Sequence, residues 1–423
     1  MPTETPSKLV VIGLGYVGLP LVVEAVKAGL AVVGLDASPR VVDGLNAGRS
    51  HVDDISDAAV ADLLAGGFSA TTDAATLADA DVAVICVPTP LKEDQSPDLA
   101  AVMGATESIR ANLHAGMLVV LESTTYPGTT DTEVRGVLEQ TGLVAGVDFH
   151  LAFSPERIDP GNPVYGLKNT PKIVGGLTAG CTERAAAFYG SFVDTVVRAR
   201  GCREAELAKL LENTYRHVNI ALVNEMAVFC HELEIDLWDS IKAASSKPFG
   251  FAAFYPGPGV GGHCIPIDPN YLSHRVRTLG YQFRFVELAQ EVSNRMPAYV
   301  VRRVQDLLNE RGLPLRNSKV LLLGLTYKPN ISDQRESPSR AVAEGFLKMG
   351  ADVLGHDPHV VTFNVQGDHE LALAADLDTA LRECDVAVLL QVHDAYDLDH
   401  IAALAPAVFD TRGKMHHDNV ERL

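Results

Sequence analysis

Short apolar runs rich in β-branched residues alternate with stretches of helical patterning in the first part of the chain. Residues 9–14, Leu-Val-Val-Ile-Gly-Leu, are typical of a strand buried on both faces of a parallel sheet. Residues 20–29 have helical patterning, and Ala31–Leu35 is the next strand-like run. Similar runs follow at 81–88 and 117–124. This alternation predicts a doubly wound α/β fold with a parallel sheet.

A long stretch of helical spacing covers residues 203 to about 237, and neither proline nor glycine interrupts it. Its apolar positions are Leu207, Leu210, Leu211, Tyr215, Val218, Ala221, Leu222 and Met226. A helix of more than about 30 residues is unusual in a globular domain. We interpret it as a core helix that connects two domains. A subunit interface along it is a second interpretation, compatible with the first.

Proline and glycine cluster from residue 248 to residue 269, which predicts a loop without regular structure, and helical patterning continues to about residue 311. The opening pattern then returns, because Lys-Val-Leu-Leu-Leu-Gly-Leu-Thr-Tyr from Lys319 resembles the sequence from Lys8. This weak repeat predicts two Rossmann-like α/β domains joined by the long helix and a helical middle region. The second copy has no glycine two residues after Gly324, so we expect it to bind something other than a dinucleotide. The expected domains are 1–200, 201–312 and 313–423.

Composition narrows the class of protein. Hydrophobic residues make up 47% and charged residues 21% of the 423, so wholesale disorder is excluded. The 54 Asp and Glu outnumber the 35 Lys and Arg, and the formal net charge is −19. Nucleic acids and anionic membranes repel such a chain, so we expect neither as a partner. An anionic ligand would need positive groups placed locally.

None of the six cysteines forms a C-x-x-C pair, which disfavours a zinc cluster, and we predict no metal. The first residues lack the basic segment and long apolar run of a secretory signal. No apolar run is long enough to span a membrane. We therefore expect a cytoplasmic protein with free thiols.

The glycines of Gly13-Leu-Gly15-Tyr-Val-Gly18 follow a predicted strand and precede a predicted helix. This G-x-G-x-x-G pattern lets backbone N–H groups approach a pyrophosphate at a helix N-terminus. Asp36 ends the next strand, where it can accept hydrogen bonds from a ribose diol and repel a 2′-phosphate. The pattern predicts NAD. Arg40 nearby keeps NADP as an alternative, and a plain tight turn is the structural alternative.

Several predicted strands end in residues that could line a site at the edge of the sheet. Pro88 and Thr89 follow one strand, Ser123 and Thr124 follow the next, and Glu156 follows a further short run. Hydroxyl and carboxylate groups at strand ends suit catalysis. Capping residues are equally compatible with this pattern.

Residues 256–269 form the most unusual stretch of the chain. Cys264 follows four glycines within seven residues, and Asp268 lies four residues later. Glycines reduce side-chain bulk so that a substrate can approach, which a buried structural cysteine does not require. We therefore predict a nucleophilic thiol at Cys264, whose deprotonation nearby positive charge or a helix end would favour. A small buried hydrophobe is the alternative, and it is our interpretation of the other five cysteines.

Two further groups of charged residues have structural and functional interpretations. Glu206, Lys209 and Asn213 share one face of the long helix, and a solvated Glu–Lys pair is the structural alternative. Lys328 and Arg335 lie in the loop after the strand at residue 319. They could hold phosphate or belong to a plain surface loop.

Five motifs follow one another along the chain: G-L-G-Y-V-G, S-T-T-Y-P-G-T, S-P-E-R-I-D-P-G-N, E-L-A-K-L-L-E-N-T-Y-R and G-V-G-G-H-C-I-P-I-D-P. In this order they resemble the nucleotide-sugar 6-dehydrogenases, the family of UDP-glucose, UDP-N-acetylmannosamine and UDP-N-acetylglucosamine dehydrogenases. The likeness extends to R-E-S-P-S and covers nearly the whole chain. It implies that the C6 alcohol of a UDP-sugar becomes a carboxylate while two NAD⁺ are reduced. It also implies that the C-terminal domain holds UDP and that the long helix forms a homodimer.

The resemblance implies a role for each matching residue. Cys264 corresponds to the nucleophile, which forms a thiohemiacetal and then a thioester. Lys209 and Asn213 correspond to the groups that stabilise the oxyanion. Asp268 corresponds to a carboxylate that, with a threonine matched by Thr124, positions a water molecule and handles protons.

Glu156 corresponds to the residue linked to general acid–base work and thioester hydrolysis. The expected NAD-binding residues are Gly13, Gly15, Tyr16, Val17, Gly18, Asp36, Arg40, Pro88, Thr89, Ser123, Thr124 and Arg335. The expected substrate-binding residues are Glu156, Arg157, Lys209, Asn213, Phe254, Tyr255, Gly261, His263, Tyr327 and Lys328.

The loop before Cys264 is similar to the UDP-N-acetylglucosamine dehydrogenase branch. UDP-glucose dehydrogenases typically read G-F-G-G-S-C-F-P-K-D, whereas this chain has His263 for the serine and Ile267 for the lysine. Phe249 stands where the N-acetylmannosamine branch more often has an arginine. We predict UDP-N-acetylglucosamine as substrate and its uronic acid, which would suit polysaccharide biosynthesis, as product. UDP-N-acetylmannosamine, UDP-N-acetylgalactosamine and UDP-glucose are the alternatives.

Two other classes of protein share parts of these motifs. A sensor of NAD or nucleotide sugars would keep the fold, but it has no need of all six catalytic-type residues. A two-electron hydroxy-acid dehydrogenase would share the glycine motif and release one NADH per substrate. The NADH stoichiometry separates this class from a four-electron enzyme.

Overall fold

The computed structural model describes residues 8–92, 96–159, 162, 164–262, 264–365 and 369–423, with the side chains of Cys264 and Pro266 outside this description. The chain divides into two units. The first holds the residues up to Glu212 together with Asn270–Tyr281, and the second holds Asn213–Pro269 and Gln282–Leu423. Within the described residues, no helix combines the length and the apolar character needed to cross a membrane.

The first unit is built on an eight-stranded sheet of described residues, in the order β3-β2-β1-β4-β5-β6-β7-β8. The strands are β1 Lys8–Ile12, β2 Ala31–Leu35, β3 Ser69–Thr71, β4 Val82–Ile85, β5 Leu118–Leu121, β6 His150–Phe153, β7 Lys172–Gly176 and β8 Val196–Arg198. The helices are α1 Gly18–Lys27, α2 Pro39–Asn46, α3 Asp57–Ala65, α4 Ala100–Arg110, α5 Arg135–Leu138 and α6 Ala179–Tyr189, with 3₁₀ or π turns at Ala74–Leu77, Thr129–Val134 and Glu139–Thr141.

The central strands of this sheet explain the apolar runs of the sequence. All four residues of β4 and of β5 are buried, since helices cover both faces of a parallel sheet. The strands from β3 to β6 pair in parallel, so the carboxyl ends of β1, β4, β5 and β6 lie at one edge. β7 runs antiparallel to β6, and its first residue, Lys172, therefore lies at this same edge. Ligands of doubly wound folds bind at this edge.

The second unit contains a five-stranded parallel sheet in the order β10-β9-β13-β14-β15. Its strands are β9 Lys319–Leu323, β10 Asp352–His356, β13 Val386–Leu389, β14 Val408–Asp410 and β15 Val420–Arg422, and β11 Asn364–Val365 pairs with β12 His369–Glu370. Its helices are α8 Leu237–Ala244, α10 Arg284–Glu310, α11 Pro338–Met349, α12 Leu377–Glu383 and α13 Leu398–Leu404. A mostly parallel sheet in the first unit and a parallel sheet in the second, each flanked by helices, confirm the predicted fold class.

The two copies of the internal repeat resemble each other more in structure than in sequence. Gly13 and Gly324 both have left-handed backbones, with φ of 91° and 78°, and end the equivalent strands β1 and β9. Asp36 and Asp357 each accept the N–H of the residue after this glycine, at 2.9 and 2.6 Å. Asp357 also lies 3.0 Å from the His393 ring. In the second copy of the repeat, a side chain of the protein therefore already contacts the carboxylate that corresponds to Asp36.

Two helices contain residues of both units. The predicted long helix is α7, Cys202–Glu232, which has 31 residues and ends shortly before Glu234, whose φ is 55°. The other is α9, Cys264–Arg277. The prediction of an irregular loop up to residue 269 is therefore wrong for its last six residues. Pro266 falls in the first turn of α9, where a missing N–H costs no intrahelical hydrogen bond, whereas Pro269 lies inside the helix and removes one such bond.

Candidate functional site

The three glycines of the first motif have different reasons to be glycine. A Cβ at Gly18 would lie 1.9 Å from the carbonyl oxygen of Gly13, and a Cβ at Gly13 would lie 2.7 Å from that of Cys86. Both residues are therefore required by protein packing. A Cβ at Gly15 would meet nothing within 4 Å. The space before Gly15 is open to a ligand, and the cradle fits the pyrophosphate of a dinucleotide.

The N-terminus of α1 faces this space with its backbone donors uncapped by a side chain, since Val17 at the cap position has none to offer. Asp36 is half-buried and holds the loop through Leu14 N and, 2.9 Å away, Ser38 N. Tyr16 is half-buried beside the glycines, and Arg40 is exposed on α2. The structure thus brings these predicted NAD residues together around one strand–turn–helix unit.

The neighbouring strand ends complete this edge of the first unit. The Ser123 hydroxyl donates to the Val87 carbonyl at 2.7 Å and ties the loop after β5 to the loop after β4. Tyr271 of α9 donates to the Thr89 carbonyl at 2.5 Å. Pro88 is exposed here, and Thr124 is half-buried. In this structure Ser123 has a bonding role within the protein, besides its predicted contact to NAD.

Lys209 and Glu156 meet in the first unit. The Lys209 ammonium group donates to the backbone carbonyl of Glu156 at 2.6 Å, and both residues are buried. The Glu156 carboxylate accepts from Arg157 N at 2.6 Å. The Arg157 guanidinium group forms an ion pair with Glu212 at 2.7 Å, so it already has an acidic partner in this structure. Lys209 therefore adds a buried cation beside the candidate acid–base residue.

Asn213 and Asp268 meet in the second unit. The Asn213 amide donates to the Asp268 carboxylate at 2.6 Å, and both side chains are buried. Asn213 lies one turn after Lys209 on α7, and Asp268 lies one turn after Cys264 on α9. The predictions for His263 and for the Cys264 thiol fall outside the described residues and side chains.

The glycines before Cys264 pack against the second sheet's first loop. A Cβ at Gly261 would lie 2.6 Å from the Tyr327 Cβ, and one at Gly262 would lie 2.6 Å from the Tyr327 ring. Gly262 has a φ of 80° and donates its N–H to the Arg335 carbonyl at 3.1 Å. The sequence interpretation assigned these glycines to substrate approach. For these two, close packing by Tyr327 is a sufficient reason.

The predicted phosphate-binding pair has mixed surroundings. Arg335 is predicted to bind NAD, but its guanidinium group forms an ion pair with Asp333 at 2.7 Å in this structure. Lys328 is half-buried, and its carbonyl accepts from the Thr326 hydroxyl at 2.8 Å. The binding of phosphate by either residue stays a prediction.

A cavity of about 730 Å³ lies in the second unit near the predicted Phe254 and Tyr255. The Tyr255 ring stacks on Trp238 with centroids 5.8 Å apart and planes 12° apart. Phe254 packs edge-on against Tyr215, 5.6 Å away. The cavity is lined by the Trp238 and Tyr255 rings, by the carboxylates Asp236, Asp239 and Asp394, and by cations and amides that include Lys242, Asn330, Gln391, Arg412 and Lys414. Such a lining suits a base and its phosphates.

Sequence reasoning missed a buried charge cluster at the edge of the first sheet. Lys172 lies 3.0 Å from Glu122 and 3.5 Å from Glu156, and Tyr189 donates to Glu122. Burial raises the pKa of Glu122 despite the nearby cation. Glu122 directly follows a strand, so its place at the edge of the sheet could have been predicted from the sequence. Lys172 begins a strand, and only the reversed direction of β7 brings it to this edge.

Glu206 is not the solvated partner of Lys209 that the structural alternative assumed. Its buried carboxylate accepts from Gly128 N at 2.7 Å, Thr130 N at 2.9 Å and the Thr130 hydroxyl at 2.7 Å. Burial raises the pKa of Glu206 to about 7, although these donors lower it. Glu206 thus anchors the start of α7 to the segment after the S-T-T-Y-P-G motif.

The raised pKa of Glu206 predicts a stability that falls with pH. The folded state binds the proton more tightly than the unfolded state, so this contribution is complete below about pH 4.5 and is lost as pH rises through about 7. The loss amounts to about 3 kcal/mol. Calorimetric melting temperatures between pH 5 and 8 should decline with a weaker slope in Glu206→Gln than in the wild type, with Glu204→Gln as an exposed control on the same helix. Parallel curves for all three proteins would contradict the assignment.

Comparisons with known proteins agree with this arrangement. The chain matches the UDP-glucose/GDP-mannose dehydrogenase family in its NAD binding domain (7–193), central domain (203–295) and UDP binding domain (321–417). It is 36% identical to a UDP-N-acetyl-D-mannosamine dehydrogenase of Methanococcus maripaludis over 97% of this chain and 94% of that protein. It is 34% identical to a UDP-N-acetyl-D-glucosamine 6-dehydrogenase of Salmonella typhi over 88% of this chain and 87% of that protein.

Solved structures extend the likeness to the whole fold. A UDP-D-ManNAc dehydrogenase from Pyrococcus horikoshii superposes with a TM-score of 0.88 at 30% identity, over 98% of both chains. A UDP-glucose dehydrogenase from Pyrobaculum islandicum has a TM-score of 0.85 at 28% identity, over 100% of this chain and 98% of that one. The chain belongs to the UDP-glucose/GDP-mannose dehydrogenase family, and it is an NAD-dependent UDP-sugar dehydrogenase.

Proposed function

We propose that this enzyme oxidises the C6 hydroxyl of a UDP-N-acetylhexosamine to a carboxylate, in two oxidation steps, with Cys264 as the covalent nucleophile. The observation that carries the proposal is the buried 2.6 Å hydrogen bond between Asn213 and Asp268. It holds a carboxylate one helical turn beyond Cys264, as the family motif requires of the residue that positions water. A buried Asn–Asp pair of this kind has no evident need in a sensor.

The chemistry divides among the chain's own residues. NAD⁺, when bound, accepts a hydride from C6 in each oxidation. The Cys264 thiolate adds to the C6 aldehyde between the two oxidations and forms a thiohemiacetal, which the second oxidation converts to a thioester. Lys209 and Asn213 stabilise the negative charge that develops on the C6 oxygen.

Hydrolysis then releases the carboxylate and restores Cys264. Asp268 and Thr124 position the attacking water, and Glu156 removes its proton. The C–S bond breaks as the C–O bond forms, and the thiolate leaves. The Lys209 ammonium group, which bonds only to a neutral carbonyl of Glu156 among the contacts described, has its charge available for the oxyanion.

The nucleotide end of the substrate belongs, in this proposal, to the second unit. The UDP binding domain of the family spans 321–417, and the cavity beside the Trp238–Tyr255 stack has the lining expected for a base with phosphates. For the phosphates we propose Lys414, which lines the cavity, and Lys328, which the sequence predicts. Five described cysteines are free thiols, which is consistent with a reaction in the reducing cytoplasm.

Two sugars are the leading candidates. The loop around Phe249 favours UDP-N-acetylglucosamine, as the sequence predicts. Several relatives of 33–36% identity that span almost the whole chain are UDP-N-acetyl-D-mannosamine dehydrogenases, which favours the mannosamine epimer. We propose the N-acetylglucosamine form first and the mannosamine form second.

A substrate panel tests the proposal. Purified enzyme is incubated with NAD⁺ and each of UDP-N-acetylglucosamine, UDP-N-acetylmannosamine, UDP-N-acetylgalactosamine and UDP-glucose, and NADH is counted per acid formed. We expect two NADH per uronic acid and a preference for an N-acetylated sugar. One NADH per product, or a preference for UDP-glucose, would refute the corresponding part of the proposal.

We further propose a homodimer formed along α7. Leu211, Tyr215, Leu222 and Phe229 recur on one face of this helix, and their exposed fractions are 63%, 51%, 53% and 45%. A second copy of the chain would cover this stripe. Leu222→Glu should halve the mass found by analytical ultracentrifugation, whereas Val147→Glu, at another exposed apolar position, should not. An unchanged mass for Leu222→Glu, or a monomeric wild type, would exclude this interface.

A further inference from the structure

Lys172 is the most deeply enclosed cation at the site edge of the first unit, and the family motifs gave it no role. Its side chain is 3% exposed, and its ammonium group faces two carboxylates, Glu122 at 3.0 Å and Glu156 at 3.5 Å. It also donates to the Pro155 carbonyl at 3.2 Å. Three acceptors therefore fix its position, and two of them belong to the backbone and side chain of the Pro155–Glu156 segment.

Two further titratable groups, on Tyr189 and Cys86, lie around Glu122 and belong to the charge balance of the cluster. Tyr189, at the end of α6, donates to Glu122, and its ring lies 5.2 Å from the Lys172 ammonium group. Cys86, after β4, is buried nearby, and burial raises the pKa of its thiol well above the usual range, so the thiol stays neutral. Buried charges need to be balanced. One ammonium group facing two carboxylates is balanced when one carboxyl keeps its proton.

Burial raises the pKa of Glu122, although the Lys172 cation lowers it. Burial lowers the pKa of Lys172, but Glu122 and Glu156 together raise it above its ordinary value. Lys172 is therefore held as a charged ammonium group between two carboxyl groups, of which Glu122 is the nearer.

We propose that Lys172 is a positioning residue for Glu156, whose carboxylate it orients, with Glu122 as the second carboxyl group of the same buried cluster. The groups that face Glu156 are Lys172 on β7, Lys209 on α7 and the backbone N–H groups of Arg157 and Ile158, which both donate to the carboxylate. Among the described contacts Lys209 bonds the Glu156 carbonyl, whereas Lys172 reaches the carboxylate itself. The inference deepens the proposed function, on which it rests.

Lys172→Met tests the proposal, because it removes the charge and keeps most of the side-chain volume. We expect kcat to fall about 10- to 100-fold, with KM for NAD⁺ and for the UDP-sugar within about twofold of wild type. Lys172→Arg should recover most of kcat. Lys319→Met, at the exposed first residue of β9, is the matched control.

A second measurement needs no substrate. Glu156 holds the amides of Arg157 and Ile158, so their hydrogen exchange should quicken about fivefold or more in Lys172→Met, and not in Lys319→Met. Adding Glu122→Gln to Lys172→Met removes one of the two facing carboxyl groups and keeps a folded protein for this test if the single variant is too unstable. Hydrogen exchange at the amides of Arg157 and Ile158 should still be faster in the double variant than in the wild type.

The two measurements separate the possible failures. A wild type that oxidises no UDP-sugar refutes the proposed function, while the exchange result still reports on the Lys172–Glu156 contact. A wild-type kcat in a folded Lys172→Met refutes the positioning role alone. Unchanged exchange at residues 157–158 refutes it as well.

Discussion

Cys264→Ser is expected to lower the rate of uronic acid formation by about a thousandfold or more. A serine hydroxyl ionises far less readily than a thiol, so the covalent intermediate that carries the second oxidation no longer forms at a useful rate. Any residual reaction should stop at the aldehyde, with at most one NADH per sugar. The measurement combines NADH absorbance with mass spectrometry of the sugar product.

Cys384→Ser is the matched control, since Cys384 is a buried free thiol of the second unit. It should retain two NADH per product. Binding of the UDP-sugar to Cys264→Ser should also persist, which separates loss of chemistry from loss of the site. Full four-electron turnover by Cys264→Ser would overturn the covalent mechanism.

Lys209→Met is expected to lower kcat by about 10²–10³-fold, with a much smaller change in KM. Lys209 is buried, and its ammonium group bonds to the neutral carbonyl of Glu156 at 2.6 Å. A buried cation stabilises a developing oxyanion more strongly than one in water, because the surroundings do not screen it. Methionine keeps the apolar part of the side chain and removes the charge.

Steady-state kinetics with the preferred UDP-sugar measure this effect, and Lys27→Met, at a lysine exposed on α1, is the control. A kcat near wild type with a raised KM would make Lys209 a substrate-binding residue only. If Lys209→Met also lowered the melting temperature strongly, the loss of rate would reflect a structural role of Lys209 instead.

Local patterns in the sequence predicted most of the fold. Ala31–Leu35 is a strand with the predicted bounds, and the helix predicted from residue 203 is α7, Cys202–Glu232. Apolar runs and helical spacing are properties of neighbouring residues, so they are readable from one chain. The start of α9 was missed because proline and glycine predict a loop, although Pro266 falls in the first turn of the helix and the helix continues through Pro269.

The candidate site was predictable only in part. The family motifs placed Lys209, Asn213 and Asp268, and the structure pairs the last two at 2.6 Å. The predicted Arg335 contact to NAD competes with an ion pair to Asp333. The reason for glycine at Gly261 also differed from the predicted one, since Tyr327 fills the space that a side chain would need. Close contacts between residues far apart in sequence leave no local pattern.

The net charge of −19 constrained the partners without identifying the site. The sequence by itself determined a dinucleotide cradle at Gly13–Gly18, two α/β domains and a cysteine in the position of the family's nucleophile. Each of these depends on residues close together in the chain. Tertiary structure decided the burial of Glu206 and the placement of Lys172 beside Glu122 and Glu156. The direction of β7 is set by its pairing with β6, and that pairing carries Lys172 to the site edge.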